Sequence, residues 1–255
     1  MEEHDINQMS FRQHMCTLRV FLKWAASIEA VPADLYDKVM VPQVGRGERQ
    51  RDDMLASDEA EELLEYLARY HYASFRHVII ALFWETGIRI GAAHSIDLAD
   101  VYPDEGYIDL EHRPETGTTL KNDKSGERPV AITDDLAELL EEYIENVRKD
   151  VDDKYGREPL FTSQHGRLTR SSIRRRVYDT TAPCFHGKPC PSCIDNMDKK
   201  CPEAMSPHAI RRGSITHYLT KDVPTEVVSD RMNVSRDVLD QHYDKRAEEV
   251  KLEQR

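Results

Sequence analysis

Apolar residues recur at helical spacing early in the chain. Phe11, Met15, Leu18, Phe21, Leu22 and Ala25 share one face, which predicts an amphipathic helix over residues 10–28. A second helix is predicted over 58–69, with Ser57 as its N-cap and Asp58, Glu59 and Glu61 in the first turn, where the helix dipole favours acidic side chains. Residues 74–85 are mostly apolar, without a break from Val78 to Trp84. That pattern predicts a helix buried on all sides, stopped by Gly87 so that Arg89 stands just beyond it. Alternation over 107–110 and 128–132 predicts two strands joined by a long polar loop, and Thr133 caps a helix reaching about residue 149. A further helix is predicted over 169–178. Ser206 and Pro207 then supply an N-cap and a first-turn proline, so His208 and Arg211 project from one face at i, i+3. Two more helices follow, over 224–232 and 235–246. The fold class this implies is mainly α with a small antiparallel β-sheet (α+β).

The polar, arginine-bearing stretch 42–54 interrupts this pattern and predicts a linker, either lying along a phosphate backbone or simply solvated. It divides the chain into a helical segment, residues 1–41, and a larger domain, residues 55–255.

Charge complicates the picture. The 255 residues carry 47 Asp and Glu against 35 Lys and Arg, a formal net charge of −12, whereas phosphate binding ordinarily requires a basic surface. Net charge alone favours an acidic enzyme whose ligand is not nucleic acid. A high-salt cytoplasm would weaken that objection, because the Debye length there falls to about 3 Å. One local patch reverses the sign: Arg167, Arg170, Arg174, Arg175 and Arg176 fall within ten residues. It is either a solvated face or a phosphate contact, and the reversal favours contact with DNA. The longest apolar run, Val78 to Trp84, is too short to span a membrane, and the acidic N-terminus is unlike a secretory signal. A soluble, cytoplasmic protein is expected, with no membrane partner.

Four of the five cysteines lie between Cys184 and Cys201, and Cys190 and Cys193 form a Cys-x-x-Cys pair. Soft thiolates at this spacing suit a structural zinc site of Cys184, Cys190, Cys193 and Cys201, with His186 able to replace one ligand. Free thiols or a disulfide pair are the alternatives.

Taken in order, the chain presents Thr86-Gly87-Ile88-Arg89 after a buried helix and a polar hairpin loop bearing Lys121. His208-Ala209-Ile210-Arg211 follows, and then His242-Tyr243 near the end. Order and spacing together resemble the tyrosine recombinase (phage integrase) family over about residues 55–246. The resemblance implies site-specific DNA recombination through a 3′-phosphotyrosyl intermediate, with Tyr243 as nucleophile and Arg89 and Arg211 clamping the phosphate. His208 would donate a hydrogen bond or shuttle a proton, and Lys121 would be the general acid, with Lys124 as a neighbouring competitor. It implies no cofactor for catalysis, double-stranded DNA attachment sites as partner, and a homo-oligomer, a tetramer, on that DNA. The chain departs from the family pattern at Ala92, where an acid is usual. It departs again at Asn233, where a histidine is usual; Asn233 can donate to phosphate but carries no proton. The acidic composition and cysteine-rich insertion (184–201) resemble integrases of salt-loving archaea. The residues before the linker amount to about half the usual DNA-clamping domain, which would leave that domain truncated. Two alternatives remain open: an integrase-like DNA-binding regulator without catalysis, and a type IB-like DNA topoisomerase.

Overall fold

A computed structural model describes residues 6–43, 53–188, 190, 201–221 and 223–243, the last four by backbone only. The chain forms two compact units, Met1–Asp52 and Asp53–Arg255.

In the first unit, helix α1 (Gln8–Ser27) starts earlier than its apolar pattern does. The Asn7 side chain accepts hydrogen bonds from the backbone N–H groups of Met9 (2.7 Å) and Ser10 (3.3 Å), satisfying two of the unpaired donors that every helix start leaves. A short 3-10 turn, Leu35–Lys38, packs back against α1. Ala25 is buried, whereas Phe11, Leu18, Phe21 and Trp24 are exposed.

The second unit is organised around one helix. α3 (Phe75–Thr86) buries Val78, Ile79, Ile80, Leu82 and Phe83, as expected of a helix apolar all round. Against it pack α2 (Ser57–Tyr70), α5 (Asp134–Asn146), α6 (Arg170–Thr181) and α7 (Pro207–Thr220). The remaining helices are α4 (Ile90–Ser95), α8 (Thr225–Met232) and α9 (Arg236–Tyr243). Strands β1 (Val101–Tyr102), β2 (Tyr107–Leu110) and β3 (Arg128–Ala131) form an antiparallel sheet in that order, with Ile108 opposite Val130 and both buried. A second hairpin pairs β4 (Thr162–Ser163) with β5 (Gly166–Arg167). The architecture is the expected one, mostly helical with a small antiparallel sheet.

Several boundaries differ from the pattern for local reasons. Ser57 is the first residue of α2, not its cap. Glu59 accepts the Ala56 N–H at 3.2 Å, and the Ser57 hydroxyl lies 3.0 Å from His217 Nδ1. α5 stops at Asn146 because the N–H groups of Val147 and Arg148 both turn back to the Tyr143 carbonyl. Short α4 escapes the periodicity test because six residues do not complete two turns.

A smaller apolar cluster fixes the C-terminal helices. Ile215 of α7, Val228 and Met232 of α8, Val234, and Leu239 of α9 are all buried together. Met232 also packs against Gly87, where a β-carbon would stand only 2.8 Å from its sulfur.

Candidate active site

The end of α3 is the anchor. A helix C-terminus leaves its last carbonyls without intrahelical donors, and here those carbonyls recruit side chains from distant helices. Tyr218 donates to the Glu85 carbonyl at 2.8 Å and Arg231 donates to it at 3.2 Å. Arg211 donates to the Gly87 carbonyl through Nη1 and to the Met232 carbonyl through Nη2 at 2.7 Å. Gly87 adopts φ +58°, the left-handed turn that ends α3 and reverses the chain into Arg89. Arg89 is thereby the N-cap residue of α4, and its Nη2 donates to the Asn233 carbonyl at 3.0 Å. The two arginines, 122 positions apart in sequence, are bound to the adjoining carbonyls of Met232 and Asn233 at the end of α8.

Around this anchor lies a cavity of about 760 Å³ whose lining includes Arg89, Lys121, His208, Arg211 and Asn233. Five of the six residues read from the sequence as catalytic therefore converge there, delivered by four separate stretches of chain. Lys121 enters from the loop between β2 and β3. Buried Leu120, whose N–H donates to His112 Nδ1 at 3.0 Å, fixes that turn and leaves Lys121 exposed at the wall. Lys124 lies three residues further along and does not line the cavity. His208 stands in the first turn of α7, whose start is held by the Ser206 hydroxyl accepting the Ala209 N–H at 3.1 Å. Asn233 sits at φ +48°, the left-handed C-cap of α8, a position that asparagine tolerates better than most side chains. Its Oδ1 accepts from Asn122 Nδ2 at 3.0 Å. α9 contributes Val238 to the wall and ends at Tyr243, whose side chain lies outside the described residues.

The electrostatics suit an anion. The surrounding protein displaces water from His208, and the charges of Arg212, Arg211, Arg89 and Lys121 push its pKa further below the ordinary value. The imidazole is therefore neutral at pH 7 and becomes easier to protonate once an anion offsets those cations. Burial lowers the pKa of Arg89. Burial and the neighbouring Arg89 lower that of Arg128 to about 10. Arg128 and Arg212 also line the cavity and were not singled out from the sequence. Arg212 was detectable as the neighbour of Arg211, whereas Arg128 reads there only as the charged start of a strand.

The basic patch divides. Arg174, Arg175 and Arg176 are exposed on α6. Arg167 is not on that surface: its side chain is 9 % exposed, paired with Asp97 and, at 2.9 Å, with Asp153. Low dielectric makes a buried carboxylate demand a cationic partner, and Arg167 meets that demand, which removes it from the expected DNA contact set. Arg170 bonds the Thr119 carbonyl at 3.0 Å and is half-buried.

The cysteine segment is described only in part, and Cys193 lies outside the described residues. Cys190 and Cys201 are buried with their sulfurs 3.5 Å apart, and Glu203 Oε1 lies 3.7 Å from Cys190. Cys184 is exposed, and the His186 ring lies 6.0 Å from that of Tyr66. Among the described residues no three His, Cys, Asp or Glu side chains gather to hold a metal ion. Among them also, no helix is long and apolar enough to cross a membrane.

Residues 53–249 match the sequence profile of the phage integrase family. The tyrosine recombinase XerD of Oceanobacillus iheyensis is 22% identical over 222 residues, 86% of this chain and 65% of that protein. The XerD recombinase of Staphylococcus haemolyticus is 25% identical over 230 residues, covering 89% of this chain and 68% of its own length. This chain thus spans about two-thirds of the curated relatives it matches. Among solved structures, the Tn1549 transposon integrase in complex with a circular intermediate DNA superposes with a TM-score of 0.65 at 16% identity, over 99% of this chain and 82% of that one. XerA recombinase superposes with a TM-score of 0.57 at 19% identity, over 100% and 85%.

Proposed function

The chain belongs to the phage integrase family, and on that premise we propose that it is a tyrosine-type site-specific DNA recombinase. The observation that carries this reading is the convergence of Arg89, Lys121, His208, Arg211 and Asn233 on one cavity.

Each has a chemical part in transferring a phosphodiester. Tyr243 attacks phosphorus and forms a 3′-phosphotyrosyl bond, its phenolic proton passing through neutral His208, while the 5′ oxygen leaves with a proton from Lys121. Arg89 and Arg211 place guanidinium donors against the non-bridging oxygens, where negative charge builds in the transition state. Their geometry is fixed beforehand by the carbonyls of Gly87, Met232 and Asn233, so little reorganisation accompanies the reaction. His208, neutral before DNA binds, donates one ring N–H or relays a proton. Asn233 adds a neutral donor and no proton. The incoming 5′ hydroxyl then attacks the same phosphorus, passing its proton to the Lys121 amine as the Tyr243 oxygen leaves, so the step runs in reverse and rejoins the strand. No group outside the chain and the DNA enters the sequence of bonds.

Double-stranded attachment sites are the partner in this reading, bound by a homo-oligomer, a tetramer, with exposed Arg174, Arg175 and Arg176 on the phosphate backbone and the chain working in a salt-rich cytoplasm. A structural zinc ion on Cys184, Cys190, Cys193 and Cys201 would order the insertion. Two thiolates on one tetrahedral zinc lie about 3.8 Å apart, close to the Cys190–Cys201 separation of 3.5 Å, which is far too long for a disulfide bond. Metal content per chain checks this: one zinc is expected, lost when Cys190 and Cys201 become serine, and a metal-free wild type would reject it.

The activity test is a nicked DNA substrate that traps the covalent adduct. Wild type is expected to give adduct and Tyr243→Phe none. Lys121→Ala is expected to slow adduct formation by about 10²–10⁴-fold, and Lys124→Ala to leave it within a few-fold. Failure to form adduct on any attachment-site DNA rejects catalysis and favours the regulatory reading.

A further inference from the structure

A second, smaller cavity of about 300 Å³ adjoins the first, and Arg89, Lys121, Arg128 and Asn233 line both. Its remaining wall includes Gly91 and Ala92 at the start of α4 and Arg170 from the first turn of α6. A β-carbon on Gly91 would meet the Arg170 guanidinium at 3.7 Å, so that group lies directly over the α4 backbone. The lining holds three arginines and a lysine and no Asp or Glu.

Three other inward-facing arginines of this unit are treated differently. Arg113, Arg157 and Arg167 are all ion-paired, with Asp97, Asp100 and Asp153 supplying the negative charge. Arg89, Arg128 and Arg170 have no carboxylate partner among the described residues and bond mainly to neutral carbonyls. Arg89 donates to that of Asn233, Arg128 to those of Arg231 (2.9 Å) and Gly126 (3.0 Å), and Arg170 to that of Thr119 (3.0 Å). Carbonyl dipoles relieve desolvation but leave net charge. Three guanidinium groups facing one small volume retain a repulsion that a mobile counter-ion removes. Ala92, buried and short, leaves the volume open where a longer side chain would fill it.

We propose that this chamber is a binding site for a small monovalent inorganic anion of the halide class. The anion is held by the guanidinium groups of Arg128 and Arg170 and offsets the charge of Arg89, which lines both cavities. The chamber has room for a partly hydrated chloride, since a single water needs only about 10–15 Å³ of such space. The site rests on geometry alone and requires no recombination activity. It sets the charge felt by Arg89, so the same anion tunes how strongly the larger cavity attracts phosphate.

The test compares thermal unfolding of the full chain in sodium chloride and in sodium gluconate at equal ionic strength. At chloride concentrations about tenfold above its dissociation constant, wild type is expected to melt roughly 3–5 °C higher in chloride. The difference is expected to vanish in Ala92→Asp, which supplies a resident carboxylate, and in Arg170→Met, which removes a donor. Arg174→Met, exposed on the same helix, should retain it. Crystals soaked in sodium bromide should show an anomalous peak within hydrogen-bonding distance of Arg128 and Arg170. A chloride advantage of equal size in Arg170→Met, or no bromide at this position, overturns the proposal. Should Ala92→Asp fail to fold, the Arg170→Met and bromide measurements still decide. Neither depends on DNA cleavage, so their failure is distinct from failure of the recombinase reading.

Discussion

Gly213 lies in the middle of α7, the helix that carries His208 and Arg211, and replacing it by alanine tests how that helix is seated. On an exposed helix face, Gly→Ala stabilises by about 1 kcal/mol, because alanine restricts the unfolded chain and favours helix. Here a β-carbon would stand 2.0 Å from the Leu55 carbonyl oxygen, 3.0 Å from its carbon and 3.0 Å from the Trp84 ring. The obstacle is backbone rather than a flexible side-chain tip, so α7 and the 55 segment must separate by about 1 Å. Overpacking of this kind costs about 3 kcal/mol. The separation also weakens the Leu55 N–H bond to the Ala209 carbonyl, at 3.3 Å, for about 1 kcal/mol more. Set against the propensity gain, the net is a loss of about 3 kcal/mol, which for a unit of this size lowers Tm by roughly 6–12 °C. Urea unfolding of wild type and Gly213→Ala measures it, and the variant should also bind DNA more weakly because His208 and Arg211 move with the helix. A neutral or stabilising substitution would refute the close approach and the argument that glycine is required there.

Two further substitutions probe the charge network and its response to pH. Asp97→Asn leaves Arg157 and Arg167 without their shared buried carboxylate, and an unfolding free energy lower by about 3–5 kcal/mol is expected from denaturant titration; a loss below about 1 kcal/mol would refute the network as a stabilising one. His94 has its pKa pushed from 6.5 to about 4 by burial and by Arg170, Arg167 and Arg157. A folded pKa below the unfolded one means that the unfolded chain binds the proton first. Stability is therefore full above pH 6.5 and is lost as pH falls towards 4, by about 2 kcal/mol after allowance for the partial exposure of the ring. The difference between wild type and His94→Gln, followed from pH 7 to pH 4.5, should show this loss, and parallel pH curves would contradict it.

Much of the fold was legible because local rules and burial agree. The fully apolar stretch of α3 could only be a buried helix, and Thr133 and Ser206 cap the helices they precede. The strands at 107–110 and 128–131 were legible from alternation. Boundaries were less so where the cap is a side chain three residues inside the helix, as Glu59 is for α2. The arginines show the limit most clearly. Arg167 and Arg174 carry the same charge in the same basic run. Only burial beside Asp97 and Asp153 separates a structural arginine from an exposed one.

The sequence by itself determined which side chains are available for phosphate chemistry, their order along the chain, and the helices and hairpin that carry them. Those follow from periodicity, capping and side-chain chemistry, which act over a few residues. The tertiary structure alone decided that Lys121 rather than Lys124 lines the cavity and that Arg128 joins it. It also decided that the arginines at 89 and 211 are aimed by carbonyls at the ends of α3 and α8. Those facts depend on contacts between residues 21 to 144 positions apart, where unsatisfied helix-end carbonyls meet cationic donors brought by packing. No local pattern encodes such a meeting, because its driving force is the cost of leaving either group unpaired once both are buried.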